Sequence, residues 1–232
     1  MKIIELFLKI AGKNDFSVDD RVEWTYIMRL CWKYGRMMIR GWIVSLNHPK
    51  ISRNVFIGKH VKLYMKQHIS IGEKTKLHDN VVIDALSKEG VVLGHHVVMG
   101  RGTTIECTGS LAAIGKGVRI GDRTTFGGEC FFGAAGGIEI GDDVVAGQFI
   151  RFHSENHNYE NVEVLIKDQG VTHKGIKIGN NCWIGSGVVF LDGARLEDGC
   201  VVAANAVVTK HFSANSVIGG VPAKIIKQRG NE

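Results

Sequence analysis

The chain has 232 residues, enough for one extended domain or a domain with an appendage, and its 44% apolar and 22% charged content excludes a disordered or supercharged protein. Thirty glycines against two prolines, with no Gly-X-Y period, exclude collagen and proline-rich linkers and point to a regular, turn-dense architecture. The net charge of +6 is uneven, since residues 1–50 hold nine Lys/Arg against five acids; with no zinc-finger spacing, RNP aromatics or long basic run, nucleic acid is not an expected partner.

The start of the chain, MKIIELFLKIAGKN, is interrupted by Glu5 and Lys9 and has no small-residue cleavage site, so it reads poorly as a signal peptide. The longest charge-free stretch, 178–191, falls short of the roughly 18 apolar residues of a membrane span. Five cysteines with no C-x-x-C pair fit a reducing, cytoplasmic setting. Asp19 and Asp20 are placed to cap a helix over about 19–44, with Val22, Tyr26, Ile27, Leu30, Tyr34 and Met38 on one face. Trp24, Trp32, Trp42, Arg29, Arg36 and Arg40 fall on its other faces. Two readings of this 1–50 helical segment stand: a cap over the open edge of the domain that follows, or a basic, tryptophan-bearing helix resting peripherally on a membrane surface or another subunit.

From residue 51 an internal repeat takes over. A bulky apolar residue recurs every six positions in blocks, giving 21 hexads from Ile57 to Val208, among them Ile105, Ile114 and Ile120. A small or β-branched partner stands two places before each, which is strand patterning with both residues on one face. Glycine repeatedly follows the bulky residue, as at Gly58, Gly100, Gly147 and Gly185, where a positive φ or a close backbone approach would turn a corner. Short strands and corners repeating in threes predict a mainly β chain: a parallel β-helix of about seven coils over 51–210. Cys130, Cys182 and Cys200 take the inward small position and read as core. The remaining 211–232 form a tail, read as a short strand and helix.

The phase slips by eight to ten residues between blocks, but from Phe152 to Ile178 the gap is 26. So large an insertion in a strict solenoid is either disordered or functional. The loop at 153–175 concentrates His153, Glu155, Asn156, His157, Asn158 and Tyr159, and histidine suits general acid–base work near neutrality. The other histidines, His173 among them, read as structural or solvated.

These features resemble the hexapeptide-repeat acetyltransferases, a family built on the left-handed parallel β-helix, and within it the sugar and xenobiotic O-acetyltransferase branch that includes the galactoside and maltose enzymes. The resemblance rests on Ile140-Gly141-Asp142, on Glu155-Asn156-His157-Asn158-Tyr159, on Ile178-Gly179-Asn180-Asn181-Cys182-Trp183-Ile184-Gly185-Ser186, on Val207-Val208-Thr209-Lys210 and on Gly220-Val221-Pro222-Ala223-Lys224. It implies acetyl-CoA as co-substrate with no metal, His157 as general base, and the Ser186 amide as oxyanion donor. It places Trp183, Gly185, Ser186, Ala203, Ala204, Thr209, Lys210, Lys224 and Lys227 along the cofactor, and Glu155, Asn156 and Tyr159 by the acceptor. It also implies a homotrimer with sites between subunits, a sugar or nucleotide-sugar acceptor, and a role in surface polysaccharide biosynthesis.

The chain departs from the galactoside enzymes at Gly127-Gly128, where their acceptor-site asparagine would fall, and in residues 1–50, which match no acceptor segment. Three other readings stand beside the first. One is N-acetylation of a nucleotide-linked amino sugar, whose enzymes often carry an N-terminal nucleotide-binding unit that residues 1–50 lack. A second is a carbonic anhydrase-like metal enzyme using His153, His157 and a neighbour's His95 or His96. The third is an ice-binding surface, which would need a flat threonine array, whereas the threonines here are scattered.

Overall fold

A computed structural model of the chain describes residues 18, 19 and 21–230. Two compact units are distinguished, 1–36 and 37–232. In the larger, short strands stack into three parallel sheets. The first face holds eight parallel strands, from Phe56–Ile57 to Ser216–Gly219, and the second and third hold seven each. The result is a left-handed parallel β-helix of seven complete coils and one further strand.

The hexad explains the register. Strands of successive coils pair in parallel with the bulky residues aligned, as in Leu63, Ile83, Ile105, Phe132, Phe152, Phe190 and Val208 on the second face. All but the half-buried Leu63 are inside. Phe132, Phe152 and Phe190 stack with ring centroids 4.6 and 5.0 Å apart, a favourable offset arrangement inside the apolar column. Cys130, Cys182 and Cys200 are buried, as the repeat predicts. Cys107 is also inside, where burial pushes its thiol up to about 11.

The twelve glycines that follow bulky residues have no positive φ; the left-handed residue comes two places later, as His96, Arg123, Asp143 and Asn181 show. Their role is close approach. A Cβ on Gly147 would lie 2.9 Å from Ser186 Cα, and one on Gly185 would lie 2.5 Å from the Ala204 amide nitrogen. The Ile-Gly-Asp pattern has a structural job as well. Oδ1 of Asp122, Asp142, Asn180 and Asp198 each accepts a backbone N–H from the coil before it, at 2.7–2.8 Å, forming a ladder up one corner.

Several expectations are corrected. Ile114 is exposed in a loop, not inward, and the third-face residue of its coil is Ile120, while Phe212 supplies the missing inward position at the top. The β-helix therefore runs past 210, and 224–228 is a strand antiparallel to Ser216–Gly219, not a helix. At the other end the helix is Trp24–Ser45. The Asp19 carboxylate bonds the amide and guanidinium of Arg21, which holds it low, at about 2, and does not cap the helix; Asp20 lies outside the described residues. The buried stripe passes through Met37, Gly41 and Ser45, leaving Tyr26 and Met38 outward. Gly41 is needed there, because a Cβ would strike the Val55 carbonyl, and Arg40 Nε donates to Ile57 O at 2.8 Å. Met37–Ser45 thus covers the first coil, as the capping reading expects.

Candidate active site

The insertions obey a rule that spacing alone did not expose. Between first and second faces, and between third and first, consecutive inward residues are always six apart. Every departure falls at the second-to-third corner: eight from Leu63 to Ile71, ten from Ile83 to Leu93, fifteen from Ile105 to Ile120, eight from Phe132 to Ile140, 26 from Phe152 to Ile178 and four from Val208 to Phe212. One edge of the β-helix therefore carries all the elaboration.

The longest insertion is an ordered arm. Asn156–His157 pairs antiparallel with Val171–Thr172, and Asn158 N–H donates to Gly170 O at 3.0 Å. At the tip the Gln169 amide group donates to the carbonyls of Asn161 and Val164, both at 2.8 Å, and accepts from Asn161 N–H. The root is held by two buried polar residues. Ser154 Oγ donates to Gly133 O at 2.9 Å and accepts from Gly136 N–H at 3.0 Å. One coil on, the Asp192 carboxylate accepts from the backbone N–H of Lys174 and of Gly175, both at 2.8 Å. Between them, Glu155 Oε2 meets His173 Nε2 at 2.6 Å, closing the base of the hairpin.

His157 stands on this arm, exposed, and among the described residues its imidazole has no hydrogen-bond partner. Asn156 and Tyr159 are also exposed, whereas the Glu155 carboxylate is occupied by His173. His153, at the arm's foot, packs against the Phe131 ring with centroids 5.7 Å apart. Burial, helped by the Arg151 charge, pulls the His153 pKa below the usual histidine value.

The expected cofactor residues divide between two corners. Gly185, Ser186, Ala203 and Ala204 lie together at the first-to-second corner, where the small residues keep adjacent coils flush. Ser186 Oγ accepts from Gln148 N–H at 3.3 Å, and among the described residues the Ser186 amide donates to nothing. Trp183 is exposed on the first face, in an open depression of about 460 Å³ shared with Val145, Val201 and Arg229. Lys224 and Lys227 line the same sheet from the terminal strand. Thr209 and Lys210 sit at the second-to-third corner two coils beyond the arm, with Lys210 Nζ 5.6 Å from the Phe212 ring centre. One chain therefore holds His157 and Ser186 at different corners and does not unite them. Among the described residues no three His, Cys, Asp or Glu form a metal-ligating cluster.

Sequence reasoning missed Ser154 and Asp192. Their signal was the period-two phase: in the five middle coils the position two after the inward residue of the second face is itself buried, as Ala85, Cys107, Ala134, Ser154 and Asp192. It turns polar at the coils that anchor the arm.

Comparison with known proteins agrees with this architecture. Residues 175–210 match the bacterial transferase hexapeptide model, and residues 117–147 match the hexapeptide repeat of succinyl-transferase. A Mycobacterium tuberculosis protein named "Probable acetyltransferase" is 32% identical over 62% of this chain and 54% of its own length. The galactoside O-acetyltransferase of Escherichia coli is 34% identical over 39% of this chain and 44% of its own. The chain thus spans about half the length of the curated relatives it matches. In fold it is similar to AntD, an N-acyltransferase of Bacillus cereus solved with dTDP and coenzyme A, with TM-score 0.52, 17% identity, and coverage of 76% of this chain and 82% of that one. In the repeat, the seven-coil β-helix and these matches together, the chain is similar to the hexapeptide-repeat acetyltransferases.

Proposed function

We propose that the protein transfers an acetyl group from acetyl-CoA to a sugar hydroxyl, with His157 as general base. The observation that carries this reading is an exposed imidazole without a hydrogen-bond partner, presented on an arm that buried hydrogen bonds hold in place. His157 removes the acceptor hydroxyl proton as the oxygen attacks the thioester carbonyl. The tetrahedral oxyanion is met by the Ser186 amide, whose N–H is uncommitted. Collapse expels the coenzyme thiolate, which takes the proton back from His157. No step calls for a metal.

The pantetheine arm would lie along the flush corner at Gly185, Ala203 and Ala204, beside Trp183, with Thr209 and Lys210 further along it. Lys224 and Lys227 would meet the phosphates as point charges. Because His157 and Ser186 lie at different corners, the complete site needs a second subunit, and a homotrimer with the arm of one chain reaching the flush corner of the next supplies it. Asn156 and Tyr159 would meet the acceptor, and Glu155 would act mainly through His173. We read the enzyme as cytoplasmic and its acceptor as a saccharide unit of a surface polysaccharide.

A thiol-release assay with acetyl-CoA tests this against hydroxyl sugars and amino sugars, free and nucleotide-linked. Turnover on hydroxyl sugars is the expected result. Turnover confined to nucleotide-linked amino sugars would replace the reading with N-acetylation, and turnover on neither would end it.

A further inference from the structure

The helix Trp24–Ser45 has one more face than packing requires. It contains no acidic residue. At about 100° per residue, its apolar residues cover most of the circumference, broken only by cations, and two stripes within that arc differ in exposure. One is the packed stripe already described. The other, roughly opposite, is exposed: Trp24, Met28 and Trp32 in the first half are 54%, 50% and 71% accessible, and Ile39, Trp42 and Ile43 in the second are 58%, 50% and 55%. Beside this second stripe, within about 60° of one another, stand the exposed Arg29, Lys33 and Arg36 and the partly buried Arg40, whose Nε already donates to Ile57 O. The Arg36 guanidinium lies 6.0 Å from the Trp32 ring centre, joining the cationic stripe to the aromatic one.

From this we infer that the helix docks on an anionic lipid surface, with the tryptophan stripe entering the headgroup boundary and Arg29, Lys33 and Arg36 resting on acidic headgroups. The inference goes beyond the acetyl-transfer reading and does not depend on it. Charge decides the occupant. A second copy docked helix to helix would set three exposed cations against three, whereas an anionic bilayer complements them and accommodates tryptophan at its interface. No helix among the described residues is long and apolar enough to cross a membrane, so the contact is peripheral.

The test is sedimentation of the full chain with vesicles of phosphatidylcholine alone and with about one-third phosphatidylglycerol, read alongside the tryptophan emission maximum. Binding to the anionic vesicles only, weakened by salt and accompanied by a blue shift, is expected. With roughly fivefold in binding per surface cation, Arg29→Gln/Lys33→Gln/Arg36→Gln should lose about a hundredfold. Trp24→Ser/Trp32→Ser/Trp42→Ser should abolish the blue shift, while thiol release on a water-soluble acceptor persists in both variants. Absence of binding to anionic vesicles by the folded parent chain would overturn the inference. So would a stripe variant that changes only the oligomeric mass, which would assign the face to a second copy.

Discussion

The first-to-second and second-to-third corners of the β-helix are made by the same kind of strand, yet they behave as opposites. At the first, seven successive turns keep a spacing of six, and glycine or alanine brings neighbouring backbones into contact, so that Gly147 sits against Ser186 and Gly185 against Ala204. At the second, spacing runs from 4 to 26 and the loops are tied by side chains such as Ser154, Asp192 and Gln169. A solenoid tolerates insertion only where chain can leave and re-enter without disturbing the register of the coils on either side. Concentrating insertions on one edge leaves the other two free to be flat. On the acetyl-transfer reading proposed above, the flat corner would take a long thin coenzyme and the elaborated one would carry the side-chain chemistry, so copies placed side by side would bring the two together.

Removing the chemical group from the elaborated corner should have the largest effect. His157→Ala is expected to lower kcat by roughly 10²–10⁴ while acetyl-CoA binding, measured by calorimetry, survives. Full activity in the purified variant would remove His157 from the mechanism, with His153 and Glu155 next to be tested. The flat corner should fail differently. Gly147→Val puts side-chain atoms where Ser186 Oγ and Cα stand 2.5 and 2.9 Å from a Cβ. It should cost about 1–3 kcal/mol of stability and weaken acetyl-CoA binding as the Ser186 turn shifts. By contrast, two glycines inserted after Val162, at the exposed tip of the arm, should leave the melting temperature nearly unchanged. Equal losses from the two changes would mean that the corners do not differ as described.

The strand repeat was legible because an inward bulky residue every six positions has one regular solution, and the aligned columns of Leu63 to Val208 bear that out. The corner rule was not, since counting gaps does not say which face follows which. Ile114 shows the cost: it keeps a spacing of six before Ile120, but Ser110 to Ala113 forms its own small bridge and leaves Ile114 outside. Phe212 was passed over because it follows Val208 by only four residues. Of the two roles allowed to the corner glycines, only close approach is realised, since the left-handed position two residues later is filled by residues such as Asp143 and Asn181. In the candidate site the arm and its histidine were visible as a break in rhythm. The Glu155–His173 bond was not, because pairing across the arm depends on a hairpin register that no local spacing encodes.

Asp192 gives a smaller and more local test. Its buried carboxylate accepts two backbone N–H bonds at the point where the arm rejoins the third face. Asp192→Ala strands those donors and should cost about 1–3 kcal/mol. Because His157 is carried on the same hairpin, kcat should fall several-fold, and hydrogen exchange should quicken at Asn158, whose N–H bonds Gly170. Asp192→Asn keeps an acceptor oxygen and should recover part of both. If exchange in the arm stays at the native rate in the alanine variant, the arm is held by Ser154 and the Glu155–His173 pair instead.

The smallest expected effect is a pH dependence, and it again separates the corners. Burial, with Arg151 adding to it, keeps His153 at the arm's foot below its ordinary value of 6.5; His96, at the third-to-first corner, is lowered chiefly by burial, with Lys74 beside it. For each, the unfolded chain binds a proton at a pH where the folded chain does not. Their contribution to stability is therefore complete above about pH 6.5 and is lost as pH falls through the lower folded value. His96 is exposed and His153 only partly buried, so the effect is modest. The melting temperature of the parent should fall between pH 7 and pH 5, and His153→Gln should flatten part of that fall. The gain should appear as slower exchange at the second-to-third corner in acid, whereas His96→Gln should protect the opposite edge. A steeper fall in His153→Gln than in the parent would mean that His153 is favoured in its charged form when folded, reversing the sign argued from its packing against Phe131.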